Sequence, residues 1–399
     1  MLSVEEAQAR VRAAFRPLGT EQVGLSEAVG RVLAEDVVAR RTQPPVAVSA
    51  MDGYAVRAAD VAKVPARLKV VGRVPAGAAW PHPLKPGEAV RIFTGAPLPV
   101  GADAIVIQED ADAEDGHVRV REGAAPGRYV RQAGLDFREG EVGLEAGRLL
   151  TARDVGLAAA MNVPWLRVRR RPRIAILSTG DEIVMPGEPV GPNQIVSSNG
   201  PALAAFVQAH GGVALNLGVV GDDRKAVLAR VREAEGSDLL VTSGGVSVGE
   251  HDIVQEALKE AGMELAFWRV AMRPGKPLMF GRIAGTAVLG FPGNPVSSIV
   301  CAVMFLAPAM RVMLGRPGAD PVEQAILGSD VPQNDRRQDY LRARLDRDGD
   351  GRLVATPFPK QDSAMLSLLA RSDCLVVRPP HAPALEAGAP VPILRLAGG

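Results

Sequence analysis

The hydrophobic pattern of residues 172–316 differs from that of the segments on either side. Short, continuously apolar runs alternate here with stretches of helical periodicity. Such alternation predicts a mostly parallel sheet with helices on both faces, and ligands of such sheets bind beyond the carboxyl ends of the strands. The predicted strands are RIAILST, VALNLGVV, DLLVT, MELAFWRV and TAVLGF, and the predicted helices are NGPALAAFVQAHGG capped by Asn199, DDRKAVLARVREAEG starting at Asp222, IVQEALKEAG and NPVSSIVCAVMFLAPAMRVML.

The flanking segments contain fewer helical patterns. Residues 41–140 carry short Val and Ile runs broken by Gly and Pro, which predicts a small, mostly β module. Short strands return over 318–399 and predict a compact, barrel-like β domain. Helices are predicted at 3–16, 24–37 and 150–162, with Ser3 and Thr151 as caps. The chain is therefore expected to combine α/β and β domains around a central three-layer α/β domain.

Composition excludes several classes of function. The 399 residues carry a net charge of +1, which gives no general reason to bind nucleic acid or a membrane surface. Cys301 and Cys374 stand in apolar surroundings and are expected to be buried thiols. The N-terminus lacks a signal peptide, and we find no apolar stretch of about 18 residues, so a soluble, cytoplasmic protein is expected.

The segment TSGGVSVGEHD (242–252) is the strongest local signal. Its glycines, Gly244 and Gly245, allow close approach of the backbone to a ligand, and the hydroxyls of Ser243 and Ser247 add donors. Asp252 either caps the next helix or points at a metal. An ordinary glycine-rich turn is the alternative, and no G-K-[ST] closes the segment as in a P-loop.

Carboxylates follow two other predicted strands at the same edge. Glu182 lies in LSTGDE and Asp222 in VVGDD, and Asp252 ends the glycine-rich segment. Each could be a turn residue or a helix cap. Several carboxylates that meet at one edge are costly without a cation, and Mg²⁺ prefers oxygen ligands. The pattern therefore indicates a magnesium site.

Cationic and rigid residues lie in the remaining two loops of this edge. Arginine and lysine bind oxyanions, and a helix start after a Pro-Gly turn favours an anion. Together with the acids, they predict phosphate-ester or oxyanion chemistry. The residues are Arg269, Arg273 and Lys276 around RPGKP, and Pro292, Asn294 and Pro295 in FPGNP.

Six motifs, taken in order, resemble the molybdopterin molybdenumtransferase family, whose module also forms the C-terminal part of gephyrin. They are SAMDGYAVR, TGAPLPVGADAIV, LSTGDE, TSGGVSVGEHD, RPGKP and PGNPVS, within a similarity that runs from about residue 3 to 395. The resemblance implies insertion of molybdate into adenylylated molybdopterin with Mg²⁺-dependent release of AMP. It also implies an elongated homodimer, in which the cleft joins the sheet domain of one subunit to the β module of the other.

The resemblance also implies four domains in each subunit. They are an α/β molybdopterin-binding domain (1–20 and 168–317), a helical and extended connecting domain (21–41 and 140–167), a small β module (42–139) and a C-terminal β domain (318–399).

Family site positions fall on residues scattered along the whole chain. Those with implied catalytic roles are Asp52, Thr94, Asp136, Glu182, Asp222, Asp252, Arg273 and Lys276. Family positions with implied substrate-binding roles are Arg269, Pro292, Pro295 and Ser363. The loops themselves add Ser243, Gly244, Gly245, Ser247 and Asn294, which are expected to hold the pterin and its phosphates. Mg²⁺ is expected on Glu182, Asp222 and Asp252.

Arg269 and Arg273 stand where relatives often carry lysine. The charge is kept, so activity is expected to survive, while the preference between molybdate and tungstate stays open. Further expected partners are the molybdopterin adenylyltransferase and cofactor-accepting proteins. Two other functions stay open, a gephyrin-like scaffold without activity and a molybdopterin adenylyltransferase. The second class is normally the sheet domain alone, whereas this chain carries three more domains.

Overall fold

A computed structural model describes residues 1–245, 253–316 and 322–396. The chain forms two compact units, the first made of Met1–Glu21 with Arg169–Gly399 and the second of Gln22–Val168. The finer division into four domains stays a prediction.

The strands of the described residues are short, and most helices lie in the first unit. The strands are β1 (Thr20–Gly24), β2 (Val37–Val38), β3 (Val48–Ser49), β4 (Gly53–Val56), β5 (Ala66–Val74), β6 (Glu88–Ile92), β7 (Ala104–Ile107), β8 (Ala111–Glu114), β9 (His117–Val120), β10 (Val130–Arg131), β11 (Val142–Leu144), β12 (Trp165–Arg169), β13 (Arg173–Thr179), β14 (Ile183–Val184), β15 (Ile195–Val196), β16 (Val213–Val220), β17 (Leu239–Ser243), β18 (Glu264–Trp268), β19 (Met272–Arg273), β20 (Met279–Ile283), β21 (Thr286–Phe291), β22 (Glu323–Leu327), β23 (Gln338–Arg347), β24 (Leu353–Pro357), β25 (Cys374–Arg378) and β26 (Pro390–Arg395). The helices are α1 (Val4–Ala13), α2 (Ala152–Ala160), α3 (Asn199–Ala209), α4 (Arg224–Glu233), α5 (Ile253–Glu260), α6 (Pro295–Cys301), α7 (Ala307–Met313) and α8 (Leu366–Leu369).

A six-stranded sheet in the order β16-β13-β17-β21-β20-β18 forms the centre of the first unit. Strands β16, β13, β17 and β21 run parallel. Strand β20 is antiparallel to both β21 and β18, so β18 runs in the direction of the parallel strands. The predicted mostly parallel sheet is confirmed.

Helices cover both faces of this sheet. Ile174 and Ile176 of β13 pack into a core cluster with residues of α1, α3, α6 and α7. Ala175 and Leu177, which alternate with them, pack into a separate cluster with residues of α4 and α5. Since the side chains of a strand alternate between its two faces, the two clusters are the two layers on either side of the sheet. The three-layer architecture is confirmed.

Helix α6 continues through a π-helical segment, Ala302–Leu306, into α7. The combined helix Pro295–Met313 is long and apolar enough to cross a membrane, which the sequence analysis did not anticipate. However, 78% of its most apolar window is buried inside the protein. Its apolar surface therefore belongs to the core of the first unit. Cys301 of α6 and Cys374 of β25 are both buried and unpaired, as predicted, and burial raises the pKa of both thiols.

The C-terminal strands close into a barrel. Strand β23 pairs with β24, and the ring continues through β22, β26 and β25 back to β23. The predicted barrel-like domain is confirmed. The short strand β19, from the RPGKP region, pairs in parallel with β23 and ties the barrel to the α/β part of the same unit.

The second unit contains a mixed six-stranded sheet and a smaller part around α2. The sheet order is β7-β4-β6-β5-β9-β8, which confirms the predicted β module. Helix α2 begins as predicted, since the N–H and hydroxyl of Thr151 both donate to Asp154.

The predicted helix over residues 24–37 is wrong. Only Leu25–Glu27 form a short 3₁₀ turn, and Gly30 has a φ of +75°, which ends helical geometry. The N–H groups of Gly30 and Leu33 donate instead to the carbonyls of Leu150 and Arg148. Pairing with a distant segment therefore replaces the local helix.

We expect Asp238→Ala to lower the unfolding free energy by about 2 kcal/mol, because it removes three charge-assisted hydrogen bonds at a largely buried carboxylate. Asp238 accepts from both terminal nitrogens of Arg170, at 2.8 and 3.0 Å, and from the N–H of Arg173 at 2.7 Å. Urea unfolding measures the change. The control is Asp346→Ala, at an exposed aspartate of the same unit. Equal losses in the two variants would contradict the assigned role of Asp238.

Candidate functional site

The parallel direction of the strands brings the predicted site loops of the first unit to one edge of the sheet. The loops after β13, β16, β17 and β21 all leave at the carboxyl ends of these strands. The RPGKP loop leads into β20, whose first residue, Met279, lies opposite Gly290 near the end of β21. It therefore reaches the same edge.

Acidic side chains from two of these loops lie together. The N–H of Asp222 donates to Asp181 Oδ1 at 2.9 Å. Glu182 folds back over Gly180, where a Cβ would lie 2.5 Å from Glu182 Oε2. Gly180 also has a φ of +141°, so this turn requires glycine. Asp181, Glu182 and Asp222 thus form an acidic cluster.

Asp222 is free to belong to this cluster because it does not cap the next helix. The predicted helix start at Asp222 is wrong by one residue. Asp223 Oδ2 accepts from the N–H of Ala226 at 3.0 Å and is the N-cap of α4.

None of the carboxylates of this cluster forms an ion pair with a cation of the described residues. Partial burial of its carboxyl raises the pKa of Asp222, and the smaller effect of repulsion from Asp181 and Glu182 raises it further. Within the described ranges, no three His, Cys, Asp or Glu side chains are grouped closely enough to hold a metal ion. Asp252, the third predicted metal ligand, lies outside those ranges. The oxygen donors present suit a hard cation such as Mg²⁺, but the full ligand set stays a prediction.

The glycine-rich segment packs tightly against the end of the neighbouring strand. Gly244 has a φ of +96°, and a Cβ on it would lie 2.4 Å from the carbonyl oxygen of Thr179. Only glycine fits here. Gly245 also has a positive φ, and Ser243 is buried. The predicted residue Ser247 lies outside the described residues.

Asn199 connects two of the site loops. Its Nδ2 donates to Ser243 Oγ at 2.7 Å and to the carbonyl oxygen of Gly293 at 2.8 Å. A carbonyl only accepts, so the contact with Gly293 fixes the orientation of the amide. The predicted helix cap at Asn199 is wrong, since Ser198 holds that position. The apolar helix pattern gave no sign of a bridge that forms between loops about 44 and 94 positions away.

Buried polar atoms without a hydrogen-bond partner are grouped near this edge. An unpaired buried polar atom costs roughly 1–3 kcal/mol, so each of these atoms is a place where an ordered water would complete a hydrogen bond. Within the described chain, these atoms include Thr179 Oγ1, Thr242 Oγ1, Asn294 Oδ1 and Ser298 Oγ.

The three predicted cationic side chains, Arg269, Arg273 and Lys276, differ in whether nearby carboxylates already balance their charge. Arg273 donates to Asp339 and lies 3.6 Å from Asp335, so two carboxylates already balance its charge. Hydrogen bonds from Arg337 lower the pKa of Asp335 to about 2, which keeps that carboxyl ionised. Arg269 lies over the ring of Trp268, 4.6 Å from its centroid, and its buried Nε has no acceptor among the described residues.

Lys276 is half-buried and forms no ion pair with the part of the chain that the structure describes. Arg269 and Lys276 are therefore better placed than Arg273 to accept a new anion.

Ser363 reaches this edge from the barrel. Its carbonyl accepts from the N–H of Val296, in the first turn of α6, at 3.3 Å. Next to it, the carbonyl of Asp362 accepts from Arg342 Nη2 at 3.1 Å. Arg342 is fully buried, and its Nε and Nη1 lack acceptors within the described residues. The sequence gives no sign of the role of Arg342, because YLRARL does not distinguish it from the exposed Arg344.

In the second unit, two predicted residues form one hydrogen-bonded turn. Asp52 Oδ1 accepts from both the N–H and the hydroxyl of Thr94, each at 2.7 Å. These two bonds and the positive charge of Arg91 lower the pKa of Asp52. Asp136 is exposed, and its N–H donates to the carbonyl of Gln43. Neither unit alone contains all the predicted residues.

Three family models match the chain in sequence. They describe the MoeA N-terminal region, domains I and II (residues 2–162), a probable molybdopterin binding domain (175–312) and the MoeA C-terminal region, domain IV (324–396). A molybdopterin molybdenumtransferase 2 of Mycobacterium tuberculosis is 39% identical over 87% of this chain and 88% of its own length. A molybdopterin molybdenumtransferase of a Nostoc species is 39% identical over 82% of this chain and 77% of its own.

Solved structures show the same architecture. A molybdopterin biosynthesis MoeA protein from Pyrococcus horikoshii superposes with a TM-score of 0.86 at 32% identity, covering 100% of both chains. The likeness includes both compact units and the barrel.

We expect Asp222→Asn to raise the melting temperature at pH 7. The folded pKa of Asp222 is raised above its ordinary value of 3.8, so the stability linked to its protonated form is present below pH 3.8 and lost as the pH rises through the folded pKa. The neutral amide removes that loss, and its advantage should vanish on acidification. Thermal scans between pH 3 and pH 8 measure this.

The adjacent Asp223→Ala is the control, and it should be destabilised by about 1 kcal/mol through loss of its cap. A destabilised Asp222→Asn at pH 7 would contradict the repulsion assigned to the cluster.

We expect Asn199→Ala to lower the unfolding free energy by about 2 kcal/mol, because it removes the two hydrogen bonds of the bridge, one to Ser243 and one to Gly293. Asn199→Asp keeps the shape and the contact with the Ser243 hydroxyl but sets a carboxylate against the Gly293 carbonyl, so it should be no more stable than the alanine variant. Urea unfolding measures both. Asn193→Ala, at an exposed asparagine of the preceding loop, is the control. A loss of unfolding free energy in Asn199→Ala no larger than in the control would contradict the stabilising role assigned to this bridge.

Proposed function

Because this chain belongs to the molybdopterin molybdenumtransferase family, we propose that it inserts molybdate into adenylylated molybdopterin and releases AMP in an Mg²⁺-dependent reaction. Molybdenum insertion is what the printed names of its relatives describe, and the loss of AMP and the need for the metal go beyond those names. Family models outside the sheet domain match both ends of the chain, which supports insertion over adenylylation by a sheet domain alone.

The observation that carries the proposal is the arrangement at the sheet edge. An acidic cluster of Asp181, Glu182 and Asp222 lies at the same edge as loops that carry Arg269 and Lys276. The acidic side chains and the two cationic side chains do not neutralise each other, since none of these carboxylates forms an ion pair with a cation of the described chain. Such a site suits a substrate that brings both a cation and an oxyanion.

The loops after β17 and β21 would hold the pterin and its phosphates. Gly244 and Gly245 supply backbone without side-chain bulk, and Asn199 sets the spacing between this backbone and Gly293. Asn294, with its unpaired Oδ1, and the rigid Pro292 and Pro295 complete the wall on the α6 side. The ligand would then meet the positive end of the helix dipole at α6.

Lys276 and Arg269 would balance the charge of the tetrahedral molybdate and of the departing AMP. Arg273 would act indirectly, because it orients the barrel through its contacts with Asp339 and Asp335. Arg342 is a further candidate cation beneath Ser363, with two nitrogens that lack acceptors in the described chain. A water, or an oxygen of the molybdate, would attack the adenylyl phosphorus. The phosphoanhydride bond would break, the other phosphate would stay on the pterin, and AMP would leave with the attacking oxygen, which in the molybdate case separates by cleavage of its Mo–O bond. The two dithiolene sulfurs would take the place of oxygen on molybdenum, and the displaced oxygen would leave as water.

Glu182 and Asp222, with Asp252 as the expected third ligand, would hold Mg²⁺. When bound, the ion would polarise the phosphoanhydride and neutralise charge on its oxygens. The repulsion that raises the pKa of Asp222 supports this assignment, because a divalent cation would reverse it.

The Asp52–Thr94 turn and Asp136 would serve the same reaction from the second unit. We propose a homodimer in which these residues face the sheet edge of the other subunit, as the family resemblance implies. Two buried, unpaired cysteines agree with a reducing cytoplasm. Sedimentation analysis tests the dimer directly.

We expect Glu182→Gln to slow AMP release from adenylylated molybdopterin by at least about tenfold, because it weakens a metal ligand and its charge. The assay follows AMP with and without molybdate, over a range of Mg²⁺ concentrations. Glu188→Gln is the matched control, since Glu188 lies in the next loop, between β14 and β15, and its carboxylate accepts from the N–H of Met185.

The variant should recover part of its rate at high Mg²⁺ if the loss reflects metal affinity. A wild-type chain that releases no AMP under any of these conditions would refute the proposed reaction. A normal rate of AMP release in Glu182→Gln would exclude Glu182 from the mechanism but would leave the proposed reaction itself standing.

A further inference from the structure

A guanidinium lies at the base of the turn that holds Asp52, on one face of the sheet of the second unit. Arg91 of β6 lies opposite Tyr54 of β4, and Arg73 of β5 lies opposite Arg91. Side chains at directly opposed positions of neighbouring strands share one face of a sheet. These three side chains therefore form a row across β5, β6 and β4.

Two hydrogen bonds and two aromatic contacts fix the position of the Arg91 side chain. Its Nη1 donates to the carbonyl oxygen of Gly53 at 3.2 Å, and its Nη2 donates to Gln108 Oε1 at 2.6 Å. The guanidinium carbon also lies 5.1 Å from the ring centroids of both Tyr54 and Phe93. A planar fork that is bonded through both terminal nitrogens and packed against two rings has little freedom left.

The contacts of this guanidinium fall on chain neighbours of Asp52 and Thr94. Gly53 follows Asp52, and Phe93 precedes Thr94. The N–H of Gln108 donates to the carbonyl of Asp52 at 3.1 Å, so Gln108 joins the backbone of the turn to the guanidinium. The side chain thus links the three segments that meet at the turn.

The hydrogen bonds within the turn are open to water, whereas its base is tightly packed. Asp52 Oδ1 accepts from the N–H and the hydroxyl of Thr94, but both contacts are exposed, and water competes for the same groups. Gly53 is buried, and a Cβ on it would lie 2.0 Å from the carbonyl oxygen of Val106, so β4 is in close contact with β7. The rigid part of the turn is therefore its base, where Arg91 lies.

The charge of Arg91 also acts on the carboxylate. The hydrogen bonds from Thr94 and, to a smaller extent, the positive charge of Arg91 lower the pKa of Asp52. On the other side of the bridge, Gln108 Nε2 donates to Glu109 Oε1 at 3.3 Å. Removal of the guanidinium would thus loosen the turn and raise the pKa of its carboxyl group.

We propose that Arg91 is a positioning residue, which holds the Asp52–Thr94 turn in the geometry that the reaction uses. The inference rests on the proposed function, in which this turn serves molybdate insertion from the second unit. Arg91 acts without touching the substrate, because both of its terminal nitrogens already have acceptors beside the turn. A lysine would not replace it, since an ammonium has no planar fork to reach both acceptors.

The test is a double-mutant cycle on AMP release, with Arg91→Gln, Asp52→Asn and the variant that carries both changes. We expect Arg91→Gln to lower kcat about tenfold and to leave KM within about twofold, because a misplaced group costs rate rather than binding. In the Asp52→Asn background, the same change should have no further effect, since Arg91 acts through this carboxylate. A residue that merely stabilises the fold would lower the rate by the same factor in both backgrounds.

Arg73→Gln is the matched control. Arg73 stacks on Phe93 from the neighbouring strand, 4.6 Å from the ring centroid, and makes no hydrogen bond to the turn in the described chain. Its replacement removes a guanidinium of the same row and should leave kcat and KM at the wild-type values. Arg91→Lys should recover little of the lost rate. Gln108→Ala, which removes one acceptor but keeps the charge, should lower kcat by a smaller factor and supplies the same cycle if Arg91→Gln does not fold.

Amide hydrogen exchange of residues 91–97 measures the turn independently of the reaction. Exchange should be faster in Arg91→Gln than in the wild type and unchanged in Arg73→Gln. Equal exchange in these two variants, or an equal loss of rate with and without the Asp52 carboxylate, would overturn the positioning role. Far-ultraviolet circular dichroism and the melting temperature show whether each variant is folded. A wild-type chain that releases no AMP would refute the proposed reaction, and the exchange rates would still decide whether Arg91 holds the turn.

Discussion

The parallel pairing of β13 with β16 and β17 is the constraint on which the functional arrangement depends. Parallel strands place successive loops at the same edge, so Asp181 and Glu182 after β13 meet Asp222 after β16 whatever their mutual repulsion. The close contact of Gly244 with the carbonyl of Thr179 then fixes the glycine-rich segment beside them. The sheet is stabilised by two large apolar clusters, which can offset the local cost of crowded like charges.

The charges in the first unit follow a consistent division. Carboxylates and cations that hold the fold together are paired, as Arg170 is with Asp238 and Arg273 with Asp339. Asp222 and Lys276, at the sheet edge, have no such partner in the described chain. A protein that left these groups unneutralised without a ligand would lose stability and gain nothing in packing. The division therefore separates structural ion pairs from groups available for binding.

The alternation of apolar strands and helices was enough to predict the three-layer domain, because burial on both faces requires that pattern. The short apolar runs at the C-terminus likewise predicted the barrel. Local signals failed where a distant partner replaced the local structure, as at 24–37, whose N–H groups pair with residues 148–150. The same limit applies to the site. Asn199, Arg342 and the commitment of Arg273 depend on contacts between segments far apart in the chain, and no spacing in the sequence encodes them.

Closure of the C-terminal barrel has a consequence for the chemistry beyond its own domain. Ser363 meets the first turn of α6, and Arg342 of β23 donates to the carbonyl of the adjacent Asp362, while β19 joins β23 to the RPGKP loop. A ring without free ends transmits a shift in any one strand to its neighbours on both sides. The RPGKP loop and the first turn of α6 are therefore fastened to the same closed ring, one through β19 and the other through Ser363.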